Sequence, residues 1–236
     1  MLDEVKALTF DVFGTVVDWR GSVIREGERL ARETGLSADW AAFADAWRGR
    51  YQPGMEAVRS GARPWVNLDQ LHRESLEQII PEFGLDALDE AGRAHLTRVW
   101  HRLDPWPDSV KGLTRLKRRF ILATLSNGHV ALMVNLARQA GLPWDAVLGA
   151  EVAQGYKPQP HVYLTAARLL GLQPHECMMV AAHPYDLRAA RALGFRTAYI
   201  HRPLEFGPGP EPERPAPDEF DAAAESMTEL ADQLGA

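Results

Sequence analysis

The chain has 236 residues, of which 46% are hydrophobic and 25% charged, and its formal net charge at pH 7 is -6. These values are typical of a globular protein with one α/β domain and a smaller second one. The acidic balance argues against nucleic acids and anionic membranes as partners, because both attract basic surfaces. The start of the chain is too acidic for a signal peptide, and the sequence has no run of about 18 apolar residues to span a bilayer, so we expect a cytoplasmic protein. The only cysteine, Cys177, excludes internal disulfides, and its apolar neighbours predict a place in the core.

The first half of the chain contains one predicted strand followed by helices. Residues 5–10 form an apolar segment that predicts a buried strand, and Asp11 stands where this strand ends. Apolar spacing predicts a helix that begins at Ser22 and ends at Gly35. Three more helices are predicted, with no strand among them, over residues 37–51 (capped by Ser37), 68–83 and 89–103.

The second half alternates between strands and helices. The prolines of segment 105–107 end the helical stretch, and Asp108 is placed to cap the next helix. Four strands are predicted, each but the last followed by a helix, over residues 120–125, 146–149, 177–181 and 197–200. Residues 202–218 are rich in Pro and Gly and predict a surface loop, and Ser226 with Glu229 is typical of a capping box that opens the last helix.

This order of elements predicts an α/β fold in which a Rossmann-like core with a parallel sheet is interrupted by a helical insertion. We assign residues 1–17 and 104–236 to the core and residues 18–103 to a helical cap domain. Since the insertion directly follows the first strand, it should hang over the carboxyl edge of the sheet, where open α/β folds bind their ligands.

Polar residues follow three of the predicted strands: Asp11 at the first, Ser126 and Asn127 at the second, and His183 to Asp186 at a later one. Because the carboxyl ends of parallel strands meet at one edge, these side chains should converge on a single site, which Lys157 can reach from an adjacent loop. An Asp before a glycine turn is suited to act as a nucleophile, with backbone N–H groups near it to bind anions. Taken singly, each residue also fits a structural role, either in a turn or, for Lys157, on the solvated surface.

In this combination the motifs resemble those of the haloacid dehalogenase superfamily, and the resemblance spans nearly the whole chain. The residues that carry it are Asp11, Gly14, Thr15, Ser126, Lys157, Pro158 and Asp186, in this order. Within the superfamily, the chain is most similar to the type II, L-2-haloacid dehalogenases. The further matches to this group are Trp47 and Arg48, Leu142, Pro143 and Trp144, Tyr163, and Arg202 with Pro203.

The resemblance implies a hydrolase that needs no metal and no cofactor, and it suggests a homodimer. Asp11 would attack the α-carbon of a short 2-haloalkanoic acid and expel halide, and water would hydrolyse the resulting ester to the 2-hydroxy acid. Lys157 would orient Asp11 and offset its charge, Asp186 would position Lys157 or the water, and Thr15 would hydrogen-bond Asp11.

The resemblance also implies a set of substrate-binding residues. Arg48 would receive the halide with its permanently charged guanidinium. Ser126 and Asn127 would hold the substrate carboxylate and the halide, helped by backbone N–H groups. The remaining candidates for the lining of the pocket are Val12, Phe13, Trp65, Tyr163 and Tyr185, although simple packing within the cap is as good an explanation for Trp65.

Phe13 favours attack at carbon over attack at phosphorus. Phosphatases of the superfamily carry a second Asp at this position, which protonates the leaving group. An aromatic ring cannot protonate a phosphoester, whereas a halide needs no proton to leave. In addition, the segment that ends at Asp186 supplies only one carboxylate for a magnesium ion.

The chain departs from the type II pattern at Ala181, Ala182 and His183, where Ser and Asn residues are usual. The missing Asn helps to hold the hydrolytic water, and we expect His183 to take over this work as a hydrogen-bonding group or a base. A more specific hypothesis is that His183 and Arg48 form a donor-rich pocket for a small halide such as fluoride.

Three alternatives remain open. The first is a metal-dependent phosphatase of the same superfamily, and the second is a hydrolase that opens a strained ring such as azetidine-2-carboxylate. The third is a binding module that has lost turnover, because fold does not fix function. A protein without turnover would have no physical need for the full set of candidate site residues, which argues against this last alternative. The set consists of Asp11, Arg48, Ser126, Lys157 and Asp186.

Overall fold

The computed structural model describes residues 2–209 and 212–236. Its strands are β1 (Ala7–Phe10), β2 (Val17–Asp18), β3 (Asp104–Pro105), β4 (Ile121–Ser126), β5 (Ala146–Gly149), β6 (Cys177–Ala181), β7 (Arg196–Ile200) and β8 (Ala222–Ala224). Its α-helices are α1 (Trp19–Thr34), α2 (Trp40–Gly49), α3 (Tyr51–Arg59), α4 (Leu68–Ile79), α5 (Glu90–Thr97), α6 (Ser109–Leu116), α7 (Val130–Ala140), α8 (Ala150–Ala153), α9 (Pro160–Leu169), α10 (Pro184–Ala192) and α11 (Met227–Gln233). Short 3-10 helices lie at Leu2–Glu4, Pro81–Phe83, Arg98–His101 and Pro174–Glu176.

Six of the strands form one parallel sheet in the order β5-β4-β1-β6-β7-β8, which confirms the predicted α/β class. Strand β1 lies in the middle, and Phe10 at its end is paired with Thr124 of β4 and Val180 of β6. All four residues of β1 are buried, as expected for a strand covered on both faces. Asp11 therefore emerges at the carboxyl edge, between the ends of the two neighbouring strands.

The helical insertion is connected to the sheet through a small two-stranded ribbon. Strands β2 and β3 pair antiparallel, with Val17 opposite Pro105 and Asp18 opposite Asp104. Both crossings of the chain between the insertion and the sheet thus lie side by side. Residues 19–103, all of which the structure describes, form helices and turns and contain no strand.

Several helix boundaries differ from the predicted ones because the capping residues differ. Helix α1 begins at Trp19, where Asp18 accepts a hydrogen bond from Gly21 N, and it ends at Gly35 as predicted. Helix α2 is capped by Asp39 and not by Ser37. Helix α3 was not predicted, because a proline and a glycine lie in its first turn, where proline is in fact tolerated.

The predicted roles of Asp108 and of residues 202–218 were partly wrong. The Asp108 side chain does not cap α6; it forms a two-pronged ion pair with Arg202, at 2.8 and 3.0 Å. The first part of the predicted surface loop is buried, since Arg202 and Glu205 are 7% and 1% exposed. Strand β8, made of three alanines, was missed because it lacks the branched and aromatic residues typical of strands.

The predicted capping box of α11 is only half formed. Ser226 accepts a hydrogen bond from Glu229 N at 3.1 Å, but the Glu229 carboxylate binds Glu225 N instead of the cap's own N–H. Cys177 is a buried free cysteine, as predicted. Within the two described ranges, none of the helices combines the length and apolarity that crossing a bilayer requires.

Candidate active site

Asp11 is a nearly buried carboxylate, 7% exposed, that accepts three hydrogen bonds. Its Oδ1 lies 3.0 Å from Lys157 Nζ. Its Oδ2 lies 2.8 Å from Thr15 Oγ1 and 3.0 Å from His183 Nδ1. Burial alone would raise the pKa of Asp11, but the Lys157 cation, His183 and Thr15 together hold that pKa well below its usual range. Asp11 is therefore an ionised carboxylate in a poorly solvated place.

Lys157 lies between two carboxylates. Its ammonium contacts Asp11 and also Asp186, a residue at the start of α10 that is 1% exposed. The Tyr163 hydroxyl donates to the other oxygen of Asp186, so this tyrosine stands behind Asp186. Burial lowers the pKa of Lys157, but the two carboxylates outweigh burial and raise it above its usual range. The predicted convergence of Asp11, Lys157 and Asp186 is present in the structure.

His183 connects Asp11 to a residue that sequence reasoning missed. Its Nε2 lies 3.0 and 3.1 Å from the two carboxylate oxygens of Glu205, which comes from the segment after β7. Glu205 also accepts a hydrogen bond from Trp19 Nε1 at 3.2 Å. Although burial alone would lower the pKa of His183, Glu205 and Asp11 raise it to about 10. His183 is thus an imidazolium held between two carboxylates.

Arg48 lies in the cap against aromatic rings. Its guanidinium carbon is 4.0 Å from the ring centroid of Tyr51 and 5.3 Å from that of Trp19. Among the described residues, its buried Nη1 atom has no hydrogen-bond partner. Because buried donors are nearly always paired, this atom is available to bind an anion. The contacts of Arg48 are with rings and those of His183 are with carboxylates, and a halide pocket shared by the two residues stays a prediction.

Tyr51 is a second residue that the sequence did not reveal. Burial raises the pKa of its phenol, and Arg48 and Asn127 partly oppose this shift. The Arg48 guanidinium carbon lies 4.0 Å from the centroid of the Tyr51 ring. Tyr51 comes three residues after Arg48, a spacing that puts side chains on the same side of a helical segment. This spacing is the signal that could have identified it.

Ser126 and Asn127 lie at the end of β4, and each side chain already accepts one hydrogen bond from a backbone N–H. Ser126 Oγ accepts a hydrogen bond from Gly128 N at 3.0 Å, so its hydroxyl proton is free to point elsewhere. Asn127 Oδ1 accepts a hydrogen bond from Lys157 N at 2.8 Å, which leaves the NH₂ group of the side chain to act as a donor. Both side chains can therefore donate to an anion.

Buried aromatic residues form a wall that includes Phe13, two residues after Asp11. Phe13 is 2% exposed and packs edge-on against Trp100, with the ring centroids 6.0 Å apart. Trp100 in turn stacks on Trp19 at 6.4 Å. Val12 is also fully buried.

The two remaining predicted lining residues lie further out. Trp65 is half-buried and packs on Tyr156, with ring centroids 4.8 Å apart. Tyr185 is 50% exposed, and its ring lies 5.7 Å from that of His183. The structure thus places Trp65 in a packing contact, the simpler of its two predicted roles, and Tyr185 at the outer rim.

The chain is similar to known hydrolases over most of its length. A family model of haloacid dehalogenase-like hydrolases matches residues 5–194. The (S)-2-haloacid dehalogenase 4A of Burkholderia cepacia is 31% identical over 206 residues, which are 86% of this chain and 85% of that protein. The (S)-2-haloacid dehalogenase of Pseudomonas sp. (strain YL) is 32% identical over 205 residues, 85% of this chain and 84% of that protein.

Two solved structures are more similar still. The L-2-haloacid dehalogenase PA0810 is 52% identical with a TM-score of 0.94, over 98% of this chain and 99% of that one. The defluorinating L-2-haloacid dehalogenase Rha0230 is 46% identical with a TM-score of 0.95, over 98% of this chain and 96% of that one.

Proposed function

Because the chain belongs to the haloacid dehalogenase-like hydrolases, we propose that it hydrolyses the carbon–halogen bond of short 2-haloalkanoic acids through an ester on Asp11. The observation that carries the proposal is the pairing of a buried, ionised Asp11 with Lys157 beside Phe13. A carboxylate with few water neighbours is a stronger nucleophile than a solvated one. Phe13 supplies no proton, which suits a halide leaving group and not a phosphoester.

In the first step, an oxygen of Asp11 forms a bond to the α-carbon from the side opposite the halogen. The carbon–halogen bond breaks, and the halide leaves with both electrons, so the configuration at carbon inverts. Lys157 orients the carboxylate and is held in turn by Asp186, which Tyr163 supports from behind.

In the second step, water attacks the carboxyl carbon of Asp11. The bond between this carbon and the alkylated oxygen breaks, and that oxygen leaves as the hydroxyl of the product. One proton of the water completes the product hydroxyl and the other is released to solvent. The overall products are the 2-hydroxy acid, a halide ion and a proton, and Asp11 regains a carboxylate whose new oxygen comes from water.

The substrate carboxylate and the departing halide bind to different hydrogen-bond donors in this scheme. The Ser126 hydroxyl, together with the backbone N–H groups of Val12 and Phe13, holds the substrate carboxylate. Arg48 and the Asn127 amide receive the departing halide, and Tyr51 holds Arg48 in place. A guanidinium with a free buried N–H is well suited to this task because its charge never titrates.

We include fluoroacetate among the substrates. The similarity to a defluorinating enzyme of 46% identity supports this choice. We expect the wall that contains Phe13 and Trp100 to favour compact substrates, because closely packed side chains leave little space for added methylenes. Fluoroacetate is the smallest member of the class.

We propose that residues 18–103 act as a cap over a core formed by residues 1–17 and 104–236. Asp11 is 7% exposed, so the substrate enters when the cap moves relative to the core. We also propose a cytoplasmic homodimer. Leu164 and Leu169 on α9 are exposed apolar side chains that a dimer interface would cover. Light scattering on the purified protein tests the oligomeric state.

The test of the proposed function is halide release from chloroacetate, fluoroacetate and the two enantiomers of 2-chloropropionate. We expect release by the wild-type protein with or without a chelator, and none by Asp11→Asn. The control is Asp86→Asn, a change at an exposed carboxylate, which should leave activity intact. Turnover of a generic phosphomonoester that a chelator abolishes, with no halide release, would instead support a metal-dependent phosphatase.

A further inference from the structure

The two oxygens of Asp11 have different partners. Among the residues that the structure describes, Oδ1 accepts one hydrogen bond, from Lys157, whereas Oδ2 accepts two, from Thr15 and His183. A carboxylate oxygen that accepts two hydrogen bonds has no in-plane lone pair left for attack. Oδ1 is therefore the better nucleophile, and Oδ2 becomes the carbonyl oxygen of the ester.

Both donors to Oδ2 are fixed in direction. Ala182 N donates to Thr15 Oγ1 at 2.9 Å, so the Thr15 hydroxyl is left to donate its own proton to Asp11. The carboxylate of Glu205 accepts from Nε2 of His183, which directs Nδ1–H of the same ring to Asp11. Two donors aimed at the oxygen where negative charge develops have the arrangement of an oxyanion hole.

Glu205 is itself held firmly. Its carboxylate is 1% exposed and accepts a hydrogen bond from Trp19. It also lies directly against Gly14, where a Cβ atom would come within 2.1 Å of Oε1 and where φ is +84°. A glycine at this position is required both by the backbone conformation and by the close approach of the carboxylate.

We propose that Glu205 is a positioning residue that keeps His183 protonated and directed at Oδ2 of Asp11, so that His183 and Thr15 stabilise the oxyanion formed during ester hydrolysis. This inference rests on the proposed function. When water attacks the carboxyl carbon, the electron pair of the carbonyl bond moves to Oδ2. It returns as the bond to Oδ1 breaks and the 2-hydroxy acid leaves with that oxygen.

The charge on Glu205 matters most after the ester has formed. In the free enzyme two carboxylates favour the imidazolium of His183, and esterification removes the charge of one of them, Asp11. Glu205 then remains as the partner that keeps the ring protonated. In the described part of the chain, the other titratable groups near His183 are Tyr185 on the adjoining helix α10 and, beyond Asp11, Lys157 and Asp186.

The test compares Glu205→Gln and Glu205→Asp with the wild type, using Glu213→Gln as the control at an exposed carboxylate of the same segment. The initial burst of chloride from chloroacetate reports ester formation, and intact-protein mass spectrometry reports the ester itself. For Glu205→Gln we expect a burst close to that of the wild type and ester hydrolysis slowed about tenfold to a hundredfold, so that the ester accumulates.

The pH dependence distinguishes this role from a purely structural one. Loss of the Glu205 charge lowers the pKa of His183, so the fall of the hydrolysis rate at high pH should begin at a lower pH in Glu205→Gln. Glu205→Asp keeps the negative charge, so the midpoint of the fall in hydrolysis rate at high pH should equal that of the wild type. Its hydrolysis should nevertheless be slower, because the shorter side chain no longer aligns the imidazole ring of His183.

Two results would overturn the inference. One is a folded Glu205→Gln with no accumulated ester and the wild-type pH midpoint. The other, which applies even if Glu205→Gln does not fold, is Glu205→Asp hydrolysing the ester at the wild-type rate. Failure of the proposed function would differ from both, because the wild type itself would then form no ester.

Discussion

The ammonium of Lys157 lies 3.0 Å from Oδ1 of Asp11, and the two side chains are 3% and 9% exposed. In such surroundings an ion pair is only weakly screened by solvent, so each partner strongly favours the charged form of the other. The same ammonium contacts Asp186, which fixes it from the far side. The nucleophile and its counter-charge are therefore preorganised before the substrate binds.

Replacement of Lys157 by Met should abolish most of the activity. Without the cation, burial and the charge of Asp186 raise the pKa of Asp11, so the nucleophile is protonated over a wider range of pH. We expect kcat to fall by about three orders of magnitude, and the acidic limb of the remaining activity to move to higher pH. Lys111→Met, at an exposed lysine, is the control, and its activity should equal that of the wild type.

Arg48→Lys should impair halide departure although the charge is retained. A lysine lacks the planar fork that both stacks on Tyr51 and presents a free N–H to the halide. We expect kcat for chloroacetate to fall by about tenfold to a hundredfold, and inhibition by added bromide to weaken. Arg50→Lys, which changes an arginine paired with Glu82, is the control and should leave both kcat and bromide inhibition unchanged. Unchanged bromide inhibition in Arg48→Lys would place the halide elsewhere.

Phe13→Ala should enlarge the pocket at the cost of stability. Removal of this buried ring lowers the free energy of unfolding by about 3 to 5 kcal/mol. The specificity constant for 2-chlorobutyrate should rise relative to that for chloroacetate, by about tenfold, since the cavity accepts the added methylenes. Phe83→Ala, which removes a cap ring that packs on Phe43, should destabilise the protein without changing this ratio. An unchanged ratio in Phe13→Ala would remove Phe13 from the substrate wall.

His183 should make the stability of the free enzyme depend on pH. The pKa of His183 is raised to about 10 in the folded protein and is about 6.5 in an unfolded chain. Its contribution is thus fully present below pH of about 6.5 and is lost as the pH rises through about 10. Denaturant unfolding across this range should show that the free energy of unfolding decreases as the pH rises. This decrease should be smaller in His183→Asn and unchanged in His175→Asn, a substitution at an exposed histidine. If the free energy of unfolding of His183→Asn decreased with pH as much as that of the wild type, His183 would not be the group responsible.

Much of the fold and part of the site could be predicted from the sequence because they depend on local patterns. Apolar runs located the main strands, and polar residues at strand ends identified Asp11 and Asp186. Glu205 and Tyr51 could not be found in this way. Glu205 lies in a segment rich in Pro and Gly whose burial depends on contacts with Gly14, far away in the sequence.

The same limit applies to the aromatic wall. Trp100 and Trp19 come from opposite ends of the helical insertion and meet only because β2 and β3 bring those ends together. Each tryptophan, taken alone, fits the apolar face of an ordinary helix. The packing of the insertion, and not the local sequence, brings them together in the wall that contains Phe13.

Asp11 should form an ester with the substrate, and a single-turnover reaction in water enriched in the heavy oxygen isotope tests this step most directly. With enzyme in excess over chloroacetate, we expect the isotope to enter the peptide containing Asp11, while the first glycolate released carries the ordinary oxygen of the enzyme. Heavy oxygen in the glycolate, with none in the Asp11 peptide, would mean that water attacks the substrate directly and would contradict the ester mechanism.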